Sequence, residues 1–320
     1  MTAPRLDVVI VNWNSGDLLR ACLASLDASR DAEALRVVVV DNASTDDSLA
    51  DLPASRHDLV VLRNRDNLGF GRACNLGAAT GRAPAILFLN PDTRVEPDSL
   101  WTALAALDGD MRVGVVGAQL RDADGTVQRS CAREPTAASL LWQALSLDRV
   151  LPWVFPPHFM REWDHARSRS VDQVMGAFLM IERRLFDTLG GFDEDFFVYY
   201  EDVDLCTRVR TFGYRVRHVA EAPVWHRGQG TTEAIRERRL FYYLRGQIQY
   251  ARKHHGLPAA AALAGAVLLG QIPLRLARAA LRRTPEEARQ VIGAARLLVR
   301  ALPATLLPSR HSLRPIPPPN

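Results

Sequence analysis

Leu6-Asp-Val-Val-Ile-Val11 and Arg36-Val-Val-Val-Val-Asp41 are unbroken apolar runs, each followed at once by polar residues. Neither alternates apolar with polar, so neither reads as a strand with one wet face. Runs of this length suit strands covered on both sides by helices, as in parallel sheets. Between them, Asp17 to Leu26 puts Leu18, Leu19, Cys22, Leu23 and Leu26 on one side of a helix. Leu59-Val-Val-Leu62, a helix from about Phe70 to Ala79, and Ala85-Ile-Leu-Phe-Leu89 continue the alternation. The pattern predicts an α/β fold with a mostly parallel central sheet flanked by helices.

Further along the chain the pattern changes. Residues 121–172 carry Trp142, Trp153, Trp163, several prolines and mixed charge, and read as an irregular insertion. A strand is expected over Val174 to Ile181, a helix over Glu201 to Phe212, and a strand over Tyr214 to Val219. A long helix from Thr232 to His255 should end at Gly256 and Pro258. Pro258 to Leu274 is the most apolar stretch. It is short, and Gln271 and Pro273 interrupt it, so it does not predict a transmembrane helix. With Arg275, Arg278, Arg282 and Arg283 behind it, the segment fits a bilayer interface or a buried or partner-facing helix. Pro303 to Asn320 holds six prolines and predicts a loose tail.

The chain has 320 residues, enough for one large domain or one domain with an appendage. Its net charge is +4, yet from Gly270 onward nine Arg face two Glu, so the rest is slightly acidic. A basic C-terminal segment suits an anionic neighbour, a membrane surface or a phosphate, or is a solvated helix face. Cys22, Cys74, Cys131 and Cys206 lie far apart and form neither a zinc pattern nor a disulfide framework. The chain enters its first strand without a signal-peptide pattern. A cytoplasmic setting is expected.

Ligands of open α/β sheets bind at the carboxyl ends of the strands. The first strand ends in Asn12-Trp-Asn-Ser-Gly16, which lacks the glycine fingerprint of a dinucleotide-binding dehydrogenase. The second ends in Asp41-Asn-Ala-Ser-Thr-Asp46, where a carboxylate can take a ribose hydroxyl or base N–H, or serve an ordinary turn. The third leads to Asn67-Leu-Gly-Phe-Gly-Arg-Ala-Cys-Asn75. Its glycines permit close backbone approach, and its helix start with Arg72 suits phosphate, although a plain loop would read the same. The fourth ends in Asn90-Pro-Asp92, oxygen donors of the kind that hold Mg2+ or Mn2+. Tyr199-Tyr-Glu-Asp-Val-Asp-Leu205 gathers carboxylates at a helix start beside the aromatic loop Gly190-Gly-Phe-Asp-Glu-Asp-Phe-Phe197. They serve the helix dipole or a general base. His226, beside Trp225, becomes a metal ligand only if it meets Asp92.

In this order, the segments resemble the inverting family 2 glycosyltransferases of GT-A fold, rhamnosyltransferase-like members in particular. The residues that carry the resemblance are Val9 to Asn14, Val40 to Asp46, Asn67 to Gly71 with Asn75, Leu89 to Asp92, Gly176 to Phe178, Gly190 to Glu194, Glu201 to Leu205 and Trp225-His226. The resemblance implies a GT-A domain over residues 1–230, with 121–172 on the acceptor side, before a helical region over 231–302 and a tail over 303–320. It implies that Asn12, Asp41, Asn67, Gly69, Arg72 and Asn90 serve the nucleotide-sugar. Asp41 would contact the base, and Arg72 would lie near the diphosphate. Asp92 stands at the last position of the family's DxD motif, with Asn90 in place of the first carboxylate. Asp92 and His226 would hold Mg2+ or Mn2+, and Asp202 would act as catalytic base with Glu201 beside it. The expected reaction moves L-rhamnose from dTDP-rhamnose to a saccharide or lipid-linked saccharide in bacterial surface polysaccharide synthesis. The alternatives are another hexose donor, or a non-catalytic nucleotide-sugar-binding subunit of a polysaccharide assembly complex. No nucleic acid partner is implied, and the C-terminal region would touch the inner face of the cytoplasmic membrane.

Overall fold

The computed structural model describes residues 4–52, 54–228 and 236–307. Its first half builds β1 (Leu6–Asn12), α1 (Asp17–Asp27), β2 (Leu35–Asp41), β3 (Asp58–Arg63), α2 (Phe70–Thr80) and β4 (Ala85–Leu89). The strands pair in parallel in the order β3-β2-β1-β4, with Val8 opposite both Val37 and Leu87. The unbroken apolar runs have the expected consequence: nearly every residue of β1, β2 and β4 is buried. β3 is the edge and only its middle is partly covered. On α1, Leu19, Cys22, Leu23 and Leu26 are buried against the sheet, whereas Leu18 stays partly exposed.

Next come β5 (Thr93–Val95), α3 (Ser99–Asp108) and β6 (Val113–Arg121), which the hydrophobic pattern did not predict. Glycines interrupt β6, and Gly117 is there because Val174 presses on it: a Cβ would meet Val174 Cβ at 2.5 Å. The irregular segment then holds β7 (Cys131–Ala132), α4 (Ala137–Ala144), α5 (Leu147–Val150) and β8 (Arg169–Val171). The single strand expected over 174–181 is two, β9 (Gln173–Val174) and β10 (Phe178–Glu182), in different sheets. The chain turns at Met175-Gly176-Ala177, where the Gly176 N–H is committed to the Asp202 carboxylate. β10 runs antiparallel between β4 and β6, so the central sheet is mixed.

After α6 (Arg183–Thr188) and α7 (Glu201–Thr211), β11 (Arg215–His226) is longer than expected and carries Trp225 and His226 itself. It pairs with β6, with irregular register between Val219 and Pro223. The last elements are α8 (Arg236–Ala266), α9 (Ile272–Leu281) and α10 (Pro285–Leu306). Residues 232–235 of the expected long helix lie outside the described residues. Gly256 does interrupt helical geometry, at φ 87°, but helix resumes directly through Pro258. Gln271 and Pro273 do not break the run either: a π-helical turn over Val267–Gln271 passes it into α9, with Pro273 in the first turn, where no N–H is required. Arg236–Leu281 is thereby long and apolar enough to cross a membrane, although a third of its most apolar stretch is buried against the protein. Pro303 lies inside α10, so residues 303–306 are helical rather than tail, and residues 308–320 lie outside those described.

The C-terminal helices share a core with the sheet-bearing part of the chain. Leu244, Ile248, Tyr250, Leu263 and Leu298 pack with Leu140, Phe196, Tyr200 and Val203. Asp204, fully buried, fastens the contact. It accepts from Arg208 Nε at 2.7 Å, and Lys253 and His254 of α8 reach its other oxygen at 2.7 and 2.8 Å. Burial alone would raise the Asp204 pKa, but these cations outweigh it and hold the carboxyl well below the usual carboxylate range. The stabilisation is therefore present above the ordinary aspartate pKa and is lost only as pH falls below it. Asp204→Ala leaves buried cations uncompensated and should cost about 3–5 kcal/mol in urea denaturation; an unchanged midpoint would remove Asp204 as the fastening.

Candidate active site

A cleft of about 1540 Å³ opens at the carboxyl ends of β1, β2 and β4. Val11, Trp13, Asn42, Asn90, Asp92 and His226 to Gly228 line it from the sheet side, and Phe197 to Val203 line it as well. Tyr242, Tyr243 and Arg275 close it from the C-terminal helices.

Asp92 and His226 meet there. β11 pairs with β5, which brings His226 opposite Thr93, and the Arg227 N–H donates to the Asp92 carbonyl at 3.0 Å. His226 Nε2 lies 3.6 Å from Asp92 Oδ1, and both residues are buried. Gln128 fixes the imidazole. Its amide nitrogen donates to Asp122 Oδ1 and to the His226 carbonyl, both at 2.7 Å, and neither oxygen can donate. Its amide oxygen must therefore face His226 Nδ1, at 2.9 Å, and receive that proton. The Nε2 lone pair is left directed at the carboxylate side. A buried lone pair and a carboxylate oxygen slightly too far apart for a hydrogen bond are a donor set that fits a divalent cation. Among the described residues no third His, Cys, Asp or Glu joins them. Ligand oxygens and water would complete the coordination.

The first turn of α7 holds three carboxylates in three environments. Asp202 Oδ2 accepts the Gly176 N–H at 2.9 Å and Oδ1 the Val203 N–H at 2.8 Å. Burial raises its pKa, and these N–H donors offset part of the rise. Glu201 is buried, one of its oxygens has no partner, and burial with the neighbouring Asp202 and Asp204 charges pushes its pKa well up. It therefore holds a proton more tightly than Asp202 does. Asp204 is spent on the fastening of α8. The turn enters α7 through Tyr199 and Tyr200 at φ 67° and 73°, a backbone region costing about 1–3 kcal/mol per non-glycine residue. Gly246 of α8 makes room for it, since a Cβ there would sit 2.9 Å from the Tyr199 carbonyl.

Asn67, Gly69, Asn90, Asp92, Glu201, Asp202 and His226 all line the cleft, as the sequence suggests. Asn12, Asp41 and Arg72 do not. Asn12 is buried and donates to Asp41 at 2.9 Å and Ser48 at 2.8 Å, and Asp41 accepts the Ser44 N–H at 3.3 Å, so the pair shapes the loop after β2. Arg72 faces outward, 3.6 Å from Glu194. Gly69, at φ 84°, approaches the Phe197 backbone, whose carbonyl takes the Phe70 N–H at 2.7 Å. That helix start is therefore capped by protein. Trp142, Trp153 and Trp163 are absent from the cleft wall, and Trp153 is 77% exposed rather than core. Sequence reasoning missed Gln128, in a segment without periodicity, and Arg275, within a basic stretch that gave no hint of which arginine turns inward. It also missed Asn42, which lines the cleft and donates to the Gly69 carbonyl at 3.0 Å.

Residues 7–190 match the model of glycosyl transferase family 2. The chain belongs to that family. It is 31% identical to the N-acetylglucosaminyl-diphospho-decaprenol L-rhamnosyltransferase of Mycobacterium tuberculosis over 235 residues, 69% of this chain and 75% of that one. It is 25% identical to rhamnosyltransferase WbbL of Escherichia coli over 77% of this chain and 92% of the relative. Among solved structures, a mannosyltransferase from Pyrobaculum calidifontis in complex with GDP-Man and Mn2+ superposes with a TM-score of 0.53 at 21% identity, covering 93% of this chain and 88% of that one. The fold is GT-A, and this family 2 member is a glycosyltransferase. In this glycosyltransferase burial lowers the His226 pKa, against the opposing pull of Asp92 and Asp122. Side-chain nitrogen NMR should find His226 neutral at pH 7 and protonated on Nδ1. A Gln128→Leu variant should lose the fixed tautomer, and a protonated Nε2 in the parent would refute the assignment.

Proposed function

We propose that the chain transfers a sugar from a nucleotide-diphosphate donor to a saccharide hydroxyl with inversion, Asp202 acting as base. The observation that carries this reading is one cleft holding both Asp202, raised by burial and aimed by two backbone N–H groups, and the Asp92–His226 pair. Asp202 takes the acceptor hydroxyl proton as the oxygen attacks the anomeric carbon. The carbon–oxygen bond to the diphosphate breaks on the opposite face, and the diphosphate leaves with the electron pair. Asp92 and His226 would hold a Mg2+ or Mn2+, which when bound would supply positive charge for that leaving group. Asn67, Gly69 and Asn90 line the donor's side of the cleft, and Asn12 and Asp41 act through the loop they hold. Glu201, protonated, offers a hydrogen bond rather than a base. Residues 1–230 form the GT-A unit in this reading, and 231–302 add a cleft wall.

Two rhamnosyltransferases among the relatives support dTDP-rhamnose as donor, and the M. tuberculosis relative's name supports a sugar on a lipid diphosphate as acceptor, within surface polysaccharide synthesis. Asp202→Asn should lower kcat by about 10²–10⁴-fold while donor affinity by calorimetry stays within a factor of a few; substantial residual turnover would sink the base assignment. The acid limb of the kcat/KM profile should lie above the ordinary aspartate value of 3.8. Chelation of divalent cations should also suppress transfer.

The same reading includes peripheral contact with an anionic bilayer. Leu269, Leu274 and Leu281 are exposed on the last helices, beside the exposed Arg278, Arg282 and Arg283. Leu145 lies against Gly270, which brings the loop with exposed Val150 and Trp153 alongside. An apolar face rimmed by arginine suits an interfacial helix. A Leu274→Asp, Leu281→Asp variant should co-sediment with phosphatidylglycerol vesicles about tenfold less than the parent, and equal sedimentation would remove the contact.

A further inference from the structure

We infer that the C-terminal wall of the cleft carries a second anion subsite, centred on Arg275, that receives the phosphate or diphosphate joining the acceptor sugar to its carrier. The inference deepens the transferase reading and rests on it for the word acceptor, but the subsite itself stands on the geometry of the arginine.

Arg275 lines the cleft from α9, and its guanidinium is partly buried. Among the described residues it forms no hydrogen bond or ion pair within bonding distance, and its Nε is buried without a partner. A guanidinium carries five donors, and leaving a buried one unmade is expensive. Its charged surroundings do not neutralise it. Arg149 and Arg278 repel it, and burial pushes its pKa down, while Glu287 and the Tyr243 hydroxyl oppose that push. Glu287 already accepts from Thr284 at 3.0 Å, and Glu286 from Gln290 at 3.2 Å. Arg238 adds a further cation to the same wall. A planar fork with open donors, where Arg149 and Arg278 stand against the Glu287 carboxylate, is an arrangement that a phosphate completes bidentately.

The position separates this anion from the donor's. Asp92 directly precedes β5 and His226 ends β11, at the sheet end of the cleft, whereas Arg275 comes from the helices that follow β11. Those helices pack on the Tyr199-Tyr200 turn that presents Asp202. A sugar hydroxyl at Asp202 with a phosphate trailing toward α9 spans base and arginine. Leu274, next to Arg275, is 49% exposed on the outer face, where an apolar carrier would leave.

Isothermal titration with inorganic pyrophosphate in EDTA tests the subsite without the metal. The parent and Asp92→Asn should bind, and Arg275→Gln should bind at least about tenfold more weakly, with Arg149→Gln intermediate and melting temperatures unchanged. Equal affinity in Arg275→Gln, or no binding by the parent, overturns the subsite. A short-chain prenyl-diphosphate sugar should displace pyrophosphate where the same sugar without phosphate does not. Phosphatidylglycerol vesicles that displace it as well at equal phosphate would overturn the acceptor assignment and leave a lipid-headgroup site. Because none of these readouts is turnover, a failure of Asp202 as base leaves the result interpretable, and the reverse holds equally.

Discussion

A carboxylate with no exposure to water cannot stay ionised unless cations come to it, and Asp204 is such a carboxylate. Arg208 comes from its own helix, and its remaining donors go to the Leu189 and Gly191 carbonyls at 3.0 and 2.9 Å. Lys253 and His254 come from α8, and Lys253 also reaches Asp193 at 2.6 Å. One buried charge therefore ties together α7, the glycine-aromatic loop before it and the long C-terminal helix. The orientation of the first turn of α7, where Asp202 sits, depends on all three.

The same turn separates three chemically similar side chains by environment. Asp204 is surrounded by cations and stays charged. Glu201 is buried beside two carboxylates, and burial and their charges push its pKa well up. Asp202 lies between these extremes, desolvated but held by two backbone N–H groups. Pushing neighbouring titratable groups apart in pKa is how one site obtains a base and a hydrogen-bond donor from the same residue class. The left-handed Tyr199 and Tyr200 are the conformational cost of presenting this turn, and Gly246 is the space that lets α8 hold it.

The helices after β11 change from an appendage into a wall of the cleft. They bring Tyr242, Tyr243 and Arg275 to face residues of the catalytic strands. Their outer surface is apolar and edged with arginine. The sheet supplies one side of the cleft, and the elements that vary most from a plain α/β pattern supply another.

The first four strands and both helices between them were legible because their hydrophobic runs are long, local and uninterrupted. So was the pairing of motif with strand end that singled out Asp92 and His226, whereas Asp202 stood at a helix start and the roles of all three came from the family resemblance. β6 was illegible because glycine replaces side chains where Val174 packs on it, and the break at Gly176 because a side chain 26 residues away takes its N–H. Asp41, Asn12 and Arg72 share their residue types with ligand-binding loops, and only the hydrogen bonds of the folded chain turn the first two inward to each other and the third outward. By itself the sequence determined the α/β class and the order of the motifs, since both depend on near neighbours. Tertiary structure alone decided how differently the three carboxylates of α7 are surrounded, which arginine faces the cleft and whether His226 meets Asp92, because charge and burial are set by residues far away in the chain.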